Sequence, residues 1–334
     1  MNILALNGGS SSLKYTLYRA AENLEELRAQ TLPAGGNAGE ALADVLASVQ
    51  RPVDAVGHRI VFGGATFTSP VRADDATMHQ LERLVDIEPL HLRAELDLVY
   101  ASMRALPEAS NVLCFDTAFH RRAPAIAHRL PLPDIDPMLQ RYGFHGLSYE
   151  YVVSKLPPGA GRTIIAHLGS GASLCALRDG EPLDTTMGFT ALGGLMMGTR
   201  PGDLDPGVLL RLLRDDGYSV EALSDLLYHR SGLLGVSGSS SDMRALMAEV
   251  STNASVRNAV DLFVYQLVKQ LGSMLAVIGG LDTLVFTGGI GENQAEIRDR
   301  VVSELRFLGN FTVLVIPTDE NRMIAQHTVR VLAN

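Results

Sequence analysis

Two arginines, an aspartate, a histidine and two glycine–serine turns are the residues of this 334-residue chain best suited to chemistry. The turns are Leu6-Asn7-Gly8-Gly9-Ser10-Ser11-Ser12-Leu13 and Leu168-Gly169-Ser170-Gly171-Ala172-Ser173-Leu174. Each lies between two short apolar runs, the pattern of strand, tight turn and strand. Glycines let a ligand approach the backbone, and successive amide N–H groups with hydroxyls form a concave donor set for phosphate oxygens. One such turn is explained by simple chain reversal. Two with matching flanks predict a duplicated phosphate-holding unit, with a nucleoside polyphosphate as ligand.

Arg59 lies inside the apolar run Gly57-His58-Arg59-Ile60-Val61, where an unpaired charge is costly. Arg200, in Gly198-Thr199-Arg200-Pro201-Gly202-Asp203, has the glycine-flanked freedom to offer its fork to a planar anion. The competing explanation for each is a structural bridge to a carboxylate, such as Arg200 to Asp203 or Asp205. Asp116 follows Val112-Leu113-Cys114-Phe115, at the C-terminal end of a strand, where α/β sheets bind ligands. His145 stands between glycines in Tyr142-Gly143-Phe144-His145-Gly146, a placement open to a structural or a catalytic role. Thr287-Gly288-Gly289-Ile290-Gly291-Glu292-Asn293 joins a strand to a helix and offers bare backbone and a helix N-terminus to a flat ligand. Neither a dinucleotide-binding G-x-G-x-x-G after the first strand nor a Walker A spacing is present.

The elements that must carry these residues follow from periodicity and breakers. Strand, hairpin and return strand occupy residues 1 to about 19, and the polar, then glycine-rich run 22–37 predicts a loop. A helix over 38–49 leads to a strand over 55–62, helices over 74–86 and 93–106, and a strand over 111–115. The proline-rich segment 121–140 reads as a crossing between domains. The second half repeats the hairpin, then predicts helices at 205–215, 219–229, 240–251 and 256–278. A strand over 282–286, a helix over 292–306 and a strand over 312–316 complete that half before the last helix. Thr318 is the expected N-cap of this helix, with Asp319 and Glu320 at its positive end.

Length predicts two domains. An apolar content of 46%, a charged content of 19% and a net charge of −9 describe a globular enzyme without a nucleic-acid surface. Cys114 and Cys175 sit in apolar strand-like runs and read as buried, inert thiols. No run approaches the ~20 apolar residues of a membrane span, and no basic leader opens the chain, so a cytoplasmic location away from membranes is expected.

With these residues assembled, the chain resembles the acetate kinase family (acetate, propionate and butyrate kinases), within the actin-like ATPase superfamily. The matching segments are Asn7–Lys14, Gly57–Arg59, Phe115–His120, Arg141–Gly146, His167–Gly169, Met187–Thr190, Gly194–Asp205, Ser241–Arg244, Thr287–Asn293 and Ile316–Glu320. The resemblance implies an α/β, two-lobed, actin-like (ribonuclease-H-like) fold built on a duplicated βββαβαβα unit. An N-terminal lobe, 1–118, would be completed by 319–334. A C-terminal lobe, 119–318, would hold the nucleoside site and a homodimer interface. The implied reaction is reversible, direct in-line transfer of the γ-phosphoryl of ATP to a short-chain carboxylate, acetate first, giving an acyl phosphate and ADP. Mg²⁺ would assist, with Mn²⁺ as a substitute.

By the same resemblance, Arg59, Asp116, His145 and Arg200 are the expected catalytic residues. Arg59 would hold the carboxylate, Arg200 would bridge to the transferring group, and His145 would donate to an equatorial oxygen. Val61, Leu90, Phe144 and Ala191 would line the acyl pocket. Ser10, Ser12, Lys14, His167, Leu168, Gly169, Ser170 and Gly171 would line the phosphate turns. Asp242, Met243, Arg244, Gly289, Ile290, Gly291 and Asn293 would enclose the nucleoside. Asn7, Asp116 and Glu320 would position the metal, although Glu320 is also explained as a helix-dipole carboxylate.

Departures from the family pattern concern substrate more than reaction. Phe62 replaces a histidine, Ser170 an asparagine, and Ala191 and Gly193 stand where the family has Pro and Glu in Phe-Thr-Pro-Leu-Glu-Gly. Leu147 and Tyr149 replace Thr and His, and Pro-Leu-His-Asn-Pro-Ala-Asn becomes Pro89-Leu90-His91-Leu92-Arg93-Ala94-Glu95. The chain is also shorter than typical members, with losses between Lys14 and Gly57 and between Asn293 and Glu320. A methyl at Ala191 in place of a proline ring predicts a larger acyl pocket and, with it, a propionate or butyrate kinase as the alternative. A nucleotide-binding regulatory protein without transfer activity would have lost one of the four expected catalytic residues, and all four are present. A kinase acting on a hydroxyl would need a carboxylate base, which Asp116 could supply; paired arginines fit a carboxylate acceptor better.

Overall fold

The computed structural model describes residues 1–9, 12–33, 37–88 and 91–333, so the predicted site residues Ser10 and Leu90 lie outside the described residues. The chain forms two compact units. The first comprises Met1–Arg121, Phe144–Ser154 and Asp319–Asn334, and the second Arg122–Gly143 and Lys155–Thr318. Residues 144–154, expected in the C-terminal lobe, thus pack in the first unit.

In the first unit, β1 (Asn2–Gly8), β2 (Ser12–Ala20), β3 (Leu24–Pro33), β4 (Ala55–Ile60), β5 (Val71–Arg72) and β6 (Ser110–Phe115) form one sheet. Their order is β3-β2-β1-β4-β6-β5. β1 pairs antiparallel with β2 and parallel with β4, and β4 pairs parallel with β6. Side chains alternate across β1, as the period of a strand requires. Leu4 and Leu6 pack with Leu42, Val45 and Leu98 from helices Ala38–Val49 and Leu92–Ala105. Ile3 and Ala5 pack on the other face with Leu147, Met323 and Ile324. Both faces are covered, so β1 reads as an unbroken apolar run.

In the second unit, β7 (Arg162–Leu168), β8 (Ala172–Arg178), β9 (Glu181–Thr185), β10 (Thr283–Thr287) and β11 (Thr312–Val315) take the order β11-β10-β7-β8-β9. β7-β8-β9 is an antiparallel meander, and β7, β10 and β11 run parallel. This repeats the β1-β2-β3 meander and the parallel β1, β4 and β6 of the first unit. The duplicated actin-like architecture is therefore present in five corresponding strands, and β5 is an addition of the first sheet.

Several local expectations are corrected. The loop expected over 22–37 is largely β3, an edge strand paired with β2. Its residues are mostly exposed, so no apolar alternation marks it in the sequence. Helix Ala38–Val49 begins at a full capping box, with Asn37 Oδ1 accepting from Glu40 N and Glu40 Oε2 accepting from Asn37 N. A short helix, Gly232–Ser237, has no counterpart in the sequence reading, and the segment expected to join a strand to a helix from about 292 is itself helical over Gly288–Asn293. The last helix, Glu320–Ala333, is capped by Asp319, whose Oδ1 accepts from Arg322 N at 2.9 Å. Thr318 is not that cap; its hydroxyl is buried without a hydrogen-bond partner among the described residues.

Helix Ala254–Ile278 is long and apolar enough to cross a membrane, contrary to expectation. Its Val260, Phe263, Val264, Leu267, Leu271 and Ile278 are buried, and it packs on β7, β8 and β9. Both cysteines are buried, and burial pushes both thiols well above their usual range. Chemical inertness is the consequence.

The final helix docks on β4 at Gly57, where an added Cβ would lie 2.5 Å from Ile324 Cγ2. Gly57→Ala should destabilise the protein by ~1–3 kcal/mol, the usual cost of overpacking a core. Urea unfolding measures it, and an unshifted midpoint would show that this contact does not set the approach of the helix.

Candidate active site

Arg59 is the penultimate residue of β4, and Asp116 is the residue after β6. The parallel register pairs Arg59 with Cys114 and Ile60 with Phe115, which brings the two charged side chains together at one end of the sheet. Arg59 Nε and Nη2 both donate to Asp116 Oδ2, at 3.0 and 2.6 Å. Arg59 Nη1 donates to Gly8 O at 3.1 Å and faces Glu95 Oε1 at 3.5 Å. The structural bridge weighed for Arg59 therefore exists, and its partner is another predicted catalytic residue.

Burial alone would lower the pKa of Arg59, but the carboxylates of Asp116, Glu95 and Glu320 more than reverse this and hold it protonated. Burial pushes the Asp116 carboxyl up, the nearby Glu320 adds to the rise, and the Arg59 fork pulls it back. Asp116 Oδ1 is buried and has no hydrogen-bond partner among the described residues. A buried, unsatisfied carboxylate oxygen is expensive unless a ligand completes it.

Other predicted residues of the first unit are linked by hydrogen bonds and strand pairing. Asn7, at the end of β1, donates through Nδ2 to Glu320 Oε2 at 2.7 Å. Across the hairpin, Asn7 is paired with Lys14, whose side chain is exposed. Ser12 closes the turn by accepting from Gly9 N at 2.9 Å. His145 has φ 59, a left-handed backbone rare for a residue with a side chain. Gly146 N donates to Asp116 O at 2.9 Å, and a Cβ on Gly146 would overlap that carbonyl. Only glycine there lets the His145 segment reach Asp116. Val61 and Phe144 are buried, and Phe144 stacks on Phe62 at 6.3 Å between ring centroids.

In the second unit the glycine segments converge. Gly288, with φ +77, lies so close to the first turn residue that a Cβ would sit 2.8 Å from Leu168 O. Gly198 N donates to Ser170 O at 3.2 Å, and a Cβ on Gly198 would stand 3.3 Å from Ser241 O. His167, Leu168, Gly169 and Gly171 thus share one neighbourhood with Gly198, Ser241 and Gly289. Asp242 caps helix Met243–Glu249 by accepting from Arg244 N at 2.8 Å, and it pairs with the exposed Arg244 side chain. Met243 is buried. Asn293 Nδ2 donates to Gly289 O at 2.8 Å, which closes the short helix that also holds Ile290 and Gly291. Arg200 Nη1 donates to Ala191 O at 2.8 Å. The carboxylates of Asp203 and Asp205 are engaged elsewhere, with Gly194 N and Gln270 Nε2, and with Gly207 N.

Glu95 was missed as part of the site, and His58 was missed as a buried titratable group beside Arg59 in sequence. Glu95, noted only as a motif departure, accepts from Val61 N at 2.7 Å as well as facing Arg59. Its carboxyl is pushed up to about 8, by burial first. His58 is buried on β4, where its Nε2 donates to Asn111 Oδ1 at 2.8 Å and its Nδ1 is buried without a partner among the described residues. Burial lowers its pKa from 6.5 to about 4.

The chain matches the Acetokinase family over residues 37–312. The acetate kinase of Rhodopseudomonas palustris (strain TIE-1) is 40% identical, the alignment covering 98% of this chain and 98% of that protein. Among solved structures, acetate kinase of Porphyromonas gingivalis is 34% identical with a TM-score of 0.86, covering 99% of each chain. A propionate kinase from Francisella tularensis subsp. tularensis SCHU S4 is 31% identical with a TM-score of 0.89, also over 99% of each chain.

The depressed pKa of His58 has a definite sign. The unfolded chain binds the proton between pH 6.5 and 4 and the folded chain does not, so stability present above pH 6.5 is lost as pH falls toward 4. The full effect is on the order of 3 kcal/mol. Urea unfolding of His58→Gln across this range should show a shallower loss than the parent protein. Equal slopes would mean that His58 is not the group responsible.

Proposed function

We infer the chemistry of this chain from one premise: it belongs to the acetokinase family. It is a phosphotransferase with a carboxyl group as acceptor, moving the γ-phosphoryl of ATP to acetate to give acetyl phosphate and ADP. The largely buried Arg59–Asp116 pair, with its one open carboxylate oxygen, is the observation that best suits this reaction.

Acetate is already ionised at pH 7, so no general base is required. The work is to bring two anions together and to neutralise charge on the phosphoryl group in flight. In our reading Arg59 receives the acceptor carboxylate, and Arg200 offers its fork to the transferring group. His145, fixed by its left-handed backbone, donates to an equatorial oxygen. The turns at Ser10, Ser12 and Lys14 and at His167–Gly171 hold the phosphates. Asp242, Met243, Arg244 and the Gly289–Asn293 segment enclose the nucleoside.

Among the described residues, no group of three or more His, Cys, Asp or Glu is placed to hold a metal ion. Mg²⁺ needs less protein than that, because it keeps water and phosphate oxygens as ligands beside one or two carboxylates. The open Asp116 Oδ1 and the Asn7–Glu320 pair fit that demand, directly or through water, and Mn²⁺ could substitute. When bound there, the ion would neutralise charge on the phosphate oxygens.

A homodimer is supported by exposed apolar side chains of the second unit. Leu204, Val208, Leu210 and Leu213 lie in and before helix Pro206–Arg214, and Leu262, Tyr265 and Val277 on helix Ala254–Ile278. The Asp203–Gln270 hydrogen bond ties the two regions together. We place the enzyme in the cytoplasm, with its ATP; the burial of the apolar stripe of helix Ala254–Ile278 supports this. Reversibility is expected from the similar character of the anhydrides on the two sides of the reaction.

Ala191 is buried beside Arg200, and the family's proline would be bulkier, so propionate is the second reading. Hydroxamate detection of acyl phosphate across acids of two to five carbons tests both readings. Acetate should be turned over, with propionate within about 1–3 kcal/mol of it in kcat/KM, and Ala191→Pro should widen the gap. Chelation of Mg²⁺ should abolish the signal. No acyl phosphate from any of these acids would end the proposal. Sedimentation equilibrium should return twice the 35.9 kDa chain mass, and Leu210→Asp should halve it; a monomeric parent protein would remove the dimer.

A further inference from the structure

Arg59 is asked to receive an acceptor carboxylate, yet its donors are already engaged. A guanidinium carries five N–H groups. Nε and one Nη2 hydrogen go to Asp116, while the two on Nη1 face Gly8 O and Glu95 Oε1. Among the described residues one Nη2 hydrogen is left over, too few for the paired bonds by which arginine grips a carboxylate. The longest of the four contacts is the one to Glu95, at 3.5 Å, against 2.6 to 3.1 Å for the others.

Glu95 cannot simply turn away. It sits in the first turn of helix Leu92–Ala105 and is 5% exposed. Its other oxygen, Oε2, accepts from Val61 N at 2.7 Å, just beyond the end of β4. The carboxylate is thus clamped beside Arg59, and Val61 is also an expected wall of the acyl pocket.

From this geometry we infer that Glu95 sets the affinity for the acceptor, because its carboxylate competes with the substrate carboxylate for the Nη1 edge of Arg59. Glu95 is a positioning residue that acts through Arg59, and the inference rests on the acceptor-binding role given to Arg59 above. When ionised it holds the edge by charge and repels the incoming anion; when protonated it stays in place as a neutral, weaker competitor. The charged or titratable groups around it are Arg59, Asp116 and Glu88, with His91 next to Glu88 at 3.5 Å. Burial lifts the Glu95 carboxyl to about 8, so the competition should switch on as pH rises through that value.

The test is the steady-state KM for acetate at about pH 6.5 and about pH 9, for the parent protein and for Glu95→Gln, with the KM for ATP measured alongside. The glutamine oxygen can still accept from Val61 N, so the clamp is kept and the charge is lost. In the parent protein the acetate KM should rise about three- to tenfold toward high pH while the ATP KM moves little. In Glu95→Gln the acetate KM should stay near the parent's low-pH value throughout. An acetate KM that is flat with pH in the parent overturns the inference, and this result does not depend on the variant folding. So does a Glu95→Gln acetate KM at high pH equal to or above the parent's, or a loss confined to kcat. A parent protein that phosphorylates no carboxylate would overturn the reaction itself, and the inference with it.

Discussion

The arrangement depends on one largely buried cation. Arg59 sits in an interior strand, and an arginine there is tolerable only with a carboxylate in direct contact. The neighbouring parallel strand provides it, since Asp116 comes directly after β6 in the register that places it beside Arg59. Other parts of the first unit are then drawn in by charge. Glu95 arrives from a helix, and Glu320 from the first turn of the last helix. Three carboxyl groups surround one guanidinium, and Oδ1 of Asp116 has no hydrogen-bond partner among the described residues. A site of this kind is stable as a scaffold and electrostatically incomplete as a binding place.

Duplication supplied two copies of one sheet, and the copies were put to different use. In the first, the ends of β1, β4 and β6 carry Asn7, Arg59 and Asp116, a charged cluster. In the second, the corresponding β7 and β10 end in Leu168 and Thr287, and the next residue in each case is glycine. Charged groups are fixed by pairing and burial. Glycine segments instead work by letting carbonyls and amides come within contact, as Gly288 does at Leu168.

The same contrast explains what was legible. The glycine–serine turns, the isolated arginines and the aspartate at a strand end announce themselves by residue type in a foreign local setting. Strands with two covered faces were readable as apolar runs. β3 was not, because an exposed edge strand held only by backbone pairing to β2 needs no apolar pattern. The cap of the final helix was displaced from Thr318 to Asp319 by one residue, a choice settled by which side chain could reach Arg322 N. Much of the apolar content of helix Ala254–Ile278 belongs to the core on which it packs, while Leu262, Tyr265 and Val277 are exposed.

The sequence by itself determined the family, the repeated hairpin and the residue types able to hold phosphate and carboxylate, because those requirements are written in short contiguous motifs. Tertiary structure decided the partners. That Arg59 is already forked onto Asp116, that Glu95 reaches the same guanidinium from a helix, and that His58 is neutral against Asn111 are contacts between residues 57, 36 and 53 positions apart in the chain. No local pattern encodes them. They arise because parallel strand register and helix packing bring distant side chains within a few ångströms, and at that range burial and charge fix what each group can do.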